Sequence, residues 1–206
     1  MIVKICGITN LGDALAAVEA GADALGFNFY RRSPRYVSPE EARRIVAELP
    51  RGVMKVGVFV NEGGPAEVAR VAAEVGLTAV QLHGDESPEY CRALGGRFVI
   101  KAVRAGADFE PESVRSYEAD AILLDAFSEK GRGGTGRVVD WGVARIVREL
   151  VPRLFLAGGL APENVAAAIG AVGPYAVDAC SALESAPGRK DRERVRAFVA
   201  AARVKP

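Results

Sequence analysis

What this chain has little of narrows its function most. Three cysteines in 206 residues, at positions 6, 91 and 180, form no CxxC pair and no even set. A disulfide framework is therefore unsupported, and a reducing setting fits better. The single histidine, His83, supplies no cluster of ligands to accompany those thiols, so no metal is expected. Basic and acidic residues nearly balance, 27 against 26, and the basic ones are scattered, which argues against a nucleic-acid partner. No apolar run reaches the ~18 residues that would suggest a membrane span, and the N-terminus lacks the basic-then-apolar pattern of a signal peptide. The expectation is a soluble, cytoplasmic protein of ordinary globular composition, 50% hydrophobic and 26% charged.

What is present is a rhythm. Short runs rich in Val, Ile and Leu recur along the chain: "IVKIC" (2–6), "DALGF" (23–27), "VMKVGVFV" (53–60) and "TAVQL" (78–82) in the first half. "RFVIKAV" (97–103), "DAILLD" (120–125), "RLFLA" (153–157) and "YAVDA" (175–179) follow in the second. Amphipathic stretches of helical period separate them. "LGDALAAVEAG" places Leu11, Leu15 and Val18 on one stripe and ends at Gly21. "SPEEARRIVAEL" opens with Ser38 as N-cap, Pro39 at the first helical position and Glu41 three residues on, a capping-box pattern. Eight strands alternating with eight helical segments imply a parallel sheet covered on its outer face. The count predicts a single-domain (β/α)8 barrel over residues 1–206, with a doubly wound open sheet as the rival. Nothing in the composition marks a domain linker.

In a (β/α)8 barrel the active site lies at the C-terminal ends of the strands. Strand one ends at Cys6, with Lys4 on the same face and one layer deeper. Strand four ends in "QLHGDE", which puts His83 at the lip, and strand six ends at Asp125. A thiol and a carboxylate facing each other across a barrel mouth suit two-way proton transfer. A nearby cation lowers a thiol's pKa, and Lys4 is the candidate. The bland alternatives are a small buried hydrophobe for Cys6, and an N-cap or a partner of Lys101 for Asp125. Cys91, inside "SPEYCRAL", reads as a packing residue.

Strands seven and eight end in "AGGL" and "VDACSA". In this fold a phosphate often sits between those two loops, on backbone N–H groups and a helix N-terminus. Gly158 and Gly159 permit close backbone approach, although Gly-Gly is equally a tight turn. The loop "NFYRRSPRY" brings Arg31, Arg32 and Arg35 together, and arginine suits bidentate carboxylate binding. "GRGGTG" (131–136) fits the spacing of the dinucleotide fingerprint but does not directly follow a strand. A mobile flap over the site is the better reading.

"KICGIT", "FYRRSPRYVSPEEA", "VGVFVN", "VQLHGDE", "ILLDA", "GGTG", "AGGLAPENV" and "VDACSALE" with "PGRKD" occur in order across nearly the whole chain. In that combination the sequence resembles the phosphoribosylanthranilate isomerases, (β/α)8-barrel enzymes of tryptophan biosynthesis. The resemblance implies an Amadori rearrangement of N-(5-phosphoribosyl)anthranilate, a small phosphosugar substrate, with no metal or coenzyme. By similarity Asp125 would be the general acid and Cys6 the general base, and Arg35 would meet the anthranilate carboxylate. The loops at Gly158–Gly159 and Cys180–Ser181 match the family's phosphate site, and Asp178 is a further matching position; His83 is a candidate substrate contact from its place at the end of strand four. Lys4 is grouped with these substrate-side residues. One departure stands out: where the family usually reads "VDVSSG", this chain has Cys180 for a serine and Ala182 for a glycine. Ala182 would matter if its position needed a left-handed backbone. Monomer and homodimer both remain open.

Overall fold

The protein is described by a computed structural model covering residues 1–126 and 140–204. The "GRGGTG" motif, and with it the expected flap, lies outside the described residues. Eight parallel strands close into a barrel in sequence order. They are β1 (Ile2–Cys6), β2 (Ala24–Asn28), β3 (Met54–Phe59), β4 (Ala79–Leu82), β5 (Phe98–Ala105), β6 (Ala121–Ala126), β7 (Leu154–Leu156) and β8 (Ala176–Ala179). All eight fall within two residues of the runs seen in the sequence. The ring closes where β1 pairs with β8, Lys4 opposite Asp178 and Ile5 opposite Ala179.

Helices cover the outside: α1 (Leu11–Glu19), α2 (Pro39–Ala47), α3 (Pro65–Val75), α4 (Pro88–Ala93), α5 (Trp141–Leu150), α6 (Val165–Val172) and α7 (Arg192–Arg203). Ser38 caps α2 as expected, its hydroxyl accepting from the Glu41 N–H. Two expectations need correction. Between β5 and β6 the covering segment is a 3₁₀ helix, Pro111–Ser116, rather than an α-helix. In α1 the buried face is Ala14 and Ala17, while Leu11 and Leu15 are exposed. Small side chains let α1 lie close on the barrel, and the larger ones turn outward. After β8 a 3₁₀ turn, Ser181–Leu183, leads into a short antiparallel hairpin, β9 (Glu184–Ala186) with β10 (Arg189–Lys190).

Strand periodicity sorts the interior into two cores. Outward-facing residues such as Val3, Ile5, Val80, Leu82, Leu124 and Val177 join the helices in one large apolar shell. The inward-facing set forms a separate cluster of Ala24, Val56, Ala79, Ile100, Leu123, Phe155 and Ala176. Continuing along the same inward faces toward the strand ends, the residues become polar: Lys4 and Cys6, Gln81 and His83, Asp125, Asp178. The barrel is thus a packed apolar plug at the bottom and a polar cup at the top, as a filled (β/α)8 core requires. Among the described residues no helix is long and apolar enough to cross a membrane.

Candidate active site

The polar cup opens into a cavity of about 440 Å³, within the usual range for a small-molecule site. Nine of the sequence-derived residues line it: Cys6, Arg35, His83, Asp125, Gly158, Gly159, Asp178, Cys180 and Ser181. Lys4 does not. It is 0% exposed, one layer below Cys6, with its ammonium 2.9 Å from Asp178 Oδ1. Its grouping with substrate-contacting residues is corrected accordingly: the inward alternation of β1 puts Cys6 at the surface of the cup and leaves Lys4 beneath it.

Gly26 makes room for this pair. It stands opposite Cys6 in the β1–β2 register and faces the barrel axis. A Cβ there would come within 2.7 Å of the Cys6 sulfur and 3.2 Å of the Lys4 nitrogen. The geometry also settles the thiol's ionisation. A hydrogen bond from Cys180 and the charges of Lys4 and Lys190 outweigh the cost of burial and hold Cys6 well below the ordinary thiol range. Cys180 moves the other way, because it donates to Cys6 and is itself buried. Glu184 Oε1, 3.8 Å from the Cys180 sulfur, also disfavours a second thiolate there. These surroundings favour Cys6 over Cys180 as the site of the thiolate.

Burial opposes a charge on Lys4, but Asp178 and the Cys6 thiolate raise its affinity for the proton above that of an ordinary lysine. Burial pushes Asp178 up to about 7 despite Lys4. The two partners pull in opposite directions. A carboxyl 2.9 Å from a buried ammonium is ionised while that ammonium persists, so the pair is charged at neutral pH.

Asp125 closes the opposite side of the cup. Its Oδ1 accepts from the Ala126 N–H at 2.8 Å, and Oδ2 lies 3.3 Å from His83 Nε2. Gln81, 1% exposed, approaches the other ring nitrogen of His83 at 2.8 Å. With the Gln81 amide N–H donating there, the ring proton of a neutral His83 sits on Nε2, facing Asp125. Lys101 is not a partner of Asp125. It faces outward from the barrel and binds Glu86 at 2.9 Å, both side chains fully buried.

Arg32 and Arg35 of the same loop both line the mouth, but only Arg35 is drawn in far enough to be half-buried. Asn28 and Ser33 fold that loop: the Tyr30 N–H donates to Asn28 Oδ1, and the Arg35 N–H to Ser33 Oγ. The guanidinium then meets Glu184 two-pronged, Nε to Oε1 at 2.8 Å and an Nη to Oε2 at 2.8 Å. Glu184 is held in turn by Lys190 at 3.0 Å. Arg31 and Arg32 are exposed. Gln81, Glu184 and Lys190 are the residues sequence reasoning missed. The inward alternation from Ala79 through Gln81 to His83 could have found Gln81, whereas Glu184 and Lys190 depend on a hairpin with no strong local signal.

At the β7 and β8 ends the proposed phosphate loops meet. Gly158 and Gly159 are both left-handed, with φ of 78° and 66°. A Cβ on Gly158 would stand 2.6 Å from the Ala126 nitrogen, so the position excludes any side chain. Ser181 begins the 3₁₀ turn facing them. Ala182 is not left-handed, since Asn61 is the only described non-glycine residue with positive φ. The alanine is therefore accommodated without backbone strain.

The family model for N-(5'-phosphoribosyl)anthranilate (PRA) isomerase matches residues 3–201. A protein of Trichlorobacter lovleyi named N-(5'-phosphoribosyl)anthranilate isomerase is 53% identical over 197 residues, covering 96% of this chain and 95% of that protein. A phosphoribosyl anthranilate isomerase solved with reduced 1-(o-carboxyphenylamino)-1-deoxyribulose 5-phosphate superposes with a TM-score of 0.88 at 48% identity, covering 98% of both chains. Monomers generated from the dimeric phosphoribosylanthranilate isomerase of Thermotoga maritima superpose with a TM-score of 0.87 at 46% identity, again over 98% of both chains. A closed barrel with a thiol, a carboxylate and a two-loop glycine-rich end thus coincides with sequence similarity along almost the whole chain, and the chain belongs to the phosphoribosylanthranilate isomerase family.

Proposed function

We propose that the cavity carries out the Amadori rearrangement of N-(5'-phosphoribosyl)anthranilate to 1-(2-carboxyphenylamino)-1-deoxyribulose 5-phosphate in tryptophan biosynthesis, with Asp125 as general acid and Cys6 as general base. The observation that carries this assignment is the Cys6 thiol, favoured as the thiolate, in the same cavity as the Asp125 carboxyl group. Asp125 protonates the furanose ring oxygen, and the bond from that oxygen to C1 breaks to leave an iminium. The Cys6 thiolate then removes the C2 proton, and the C–H electrons flow into the C1=N bond to give an enolamine. Tautomerisation yields the ketone. The iminium is the electron sink, so the chemistry needs only proton transfers.

The remaining lining residues find roles by position. Gly158, Gly159 and Ser181 receive the phosphate on the β7 and β8 loops, with the Cys180 backbone beside them. Arg35 reads the anthranilate carboxylate, and Glu184 orients its fork. His83, held by Gln81, positions the Asp125 carboxyl. A homodimer belongs to the same proposal. One structural relative is described as dimeric, and α1 exposes Leu11 and Leu15.

The test is the loss of anthranilate-type fluorescence when purified protein meets the substrate. Turnover is expected without added metal. No turnover by a folded protein would overturn the assignment. Arg35→Lys should raise KM by ~10–100-fold with little change in kcat, because an ammonium cannot make the two-pronged contact. An unchanged KM would remove Arg35 from carboxylate binding.

A further inference from the structure

Cys180 does more than occupy a loop position. The β1–β8 register sets Lys4 opposite Asp178 and Ile5 opposite Ala179. Cys6 ends β1 and Cys180 directly follows the end of β8, so extending that register by one step brings the two cysteines level. Neighbouring strands lie about 4.8 Å apart, inside the ~4.4–6.8 Å Cα separation that a disulfide bridges. Both side chains line the same cavity. The Cys180 sulfur sits over the backbone just after Cys6, 2.8 Å from where a Cβ on Gly7 would stand. Both thiols are free and partly accessible, and their mutual interaction favours the thiolate on Cys6 and disfavours it on Cys180. Lys190 Nζ lies 3.9 Å from the Cys180 sulfur, which adds a cation to the pair.

We propose that Cys6 and Cys180 form a reversible dithiol–disulfide site at the cavity mouth, open to small peroxides. The inference goes beyond the isomerase reading and assigns the site a second chemistry. The Cys6 thiolate attacks a peroxide oxygen, the O–O bond breaks, and one oxygen leaves as water after protonation. Cys6 is then a sulfenic acid. The Cys180 thiol attacks that sulfur, an S–S bond forms, and the sulfenic oxygen leaves as a second water molecule. Overall two thiols lose two electrons and two protons, and one hydrogen peroxide is reduced to two waters. Cys6 can no longer accept a proton in this state, and an external dithiol restores it by exchange.

The experiment exposes the purified, reduced protein to hydrogen peroxide near one equivalent and maps its peptides by mass spectrometry without reductant. A Cys6–Cys180 cross-linked pair is expected, lighter by about two hydrogens than the two thiol peptides together, and lost on adding dithiothreitol. Isomerase activity should fall and return in step with it. In Cys180→Ser excess peroxide should carry Cys6 on to sulfinic acid, which dithiothreitol does not reverse. Cys91→Ala should keep the full response, since Cys91 is buried in α4 away from the mouth. A cross-link through Cys91, a cross-link between two chains, or irreversible oxidation of Cys6 in the unsubstituted protein would overturn the proposal. The mass reading does not depend on turnover, so its failure is distinguishable from failure of the isomerase assignment.

Discussion

Cys6→Ala and Asp125→Asn should each lower kcat by at least ~100-fold while the melting temperature moves only slightly. The two residues supply the two proton transfers, and no neighbour of Cys6 can take over its part. Below Cys6 lies the Lys4 ammonium, which holds its proton too firmly to act as a base. Beside it lies Cys180, whose ionisation is suppressed by its interaction with Cys6 and by burial, against the opposing charges of Lys190 and Arg35. Asparagine at 125 can keep the hydrogen bond from the Ala126 N–H through its own side-chain oxygen, so the loop need not rearrange. It loses only the ability to give up a proton. Because the enolamine and ring-opening steps follow one another, each single variant should be slow under saturating substrate. Stopped-flow fluorescence with circular dichroism on the same samples separates chemistry from folding. Full activity in Cys6→Ala would sink the assigned mechanism.

How far the sequence disclosed this site depends on the scale of the signal. Apolar runs with period-two alternation are local, and eight of them in register with helices leave almost no other closed topology. The inward polar residues Cys6, His83, Asp125 and Asp178 follow from the same alternation at the strand ends. The side chains around them do not. That Lys4 pairs with Asp178, that Lys101 binds Glu86 rather than Asp125, and that Arg35 docks on Glu184 are contacts across 174, 15 and 149 residues of sequence. The first and third come together only when β8 closes the barrel against β1, and the second only when β4 and β5 pair. The exposed Leu11 and Leu15 teach the same lesson from the other side. An apolar stripe shows that a helix has one, but which face turns inward is decided by how closely the barrel lets it approach. The hairpin carrying Glu184 and Lys190 has too little periodicity to announce itself.

Lys4→Met should destabilise the protein by about 3–5 kcal/mol near neutral pH, the usual consequence of leaving one partner of a buried pair alone. Methionine retains most of the side chain's volume, so packing changes little. The loss falls on Asp178, 7% exposed and pushed up to about 7 even with Lys4 present. Without the ammonium its carboxyl binds a proton still more tightly in the folded state than in the unfolded chain. A group with that sign adds stability at low pH and loses it as pH rises through the folded value. The penalty of Lys4→Met should therefore be smaller at pH 5 than at pH 8, where Asp178 is either ionised alone or protonated at a cost. Urea unfolding at the two pH values measures the difference, and a penalty independent of pH would show that the pair is not the cause. The same substitution removes a charge and a hydrogen bond that favour the Cys6 thiolate. The limb of the pH–kcat/KM profile that rises with Cys6 ionisation should move to higher pH, only in part because Lys190 remains. A limb that stays in place would make Lys4 a structural residue of the barrel core and leave the tuning of Cys6 to Cys180 and Lys190.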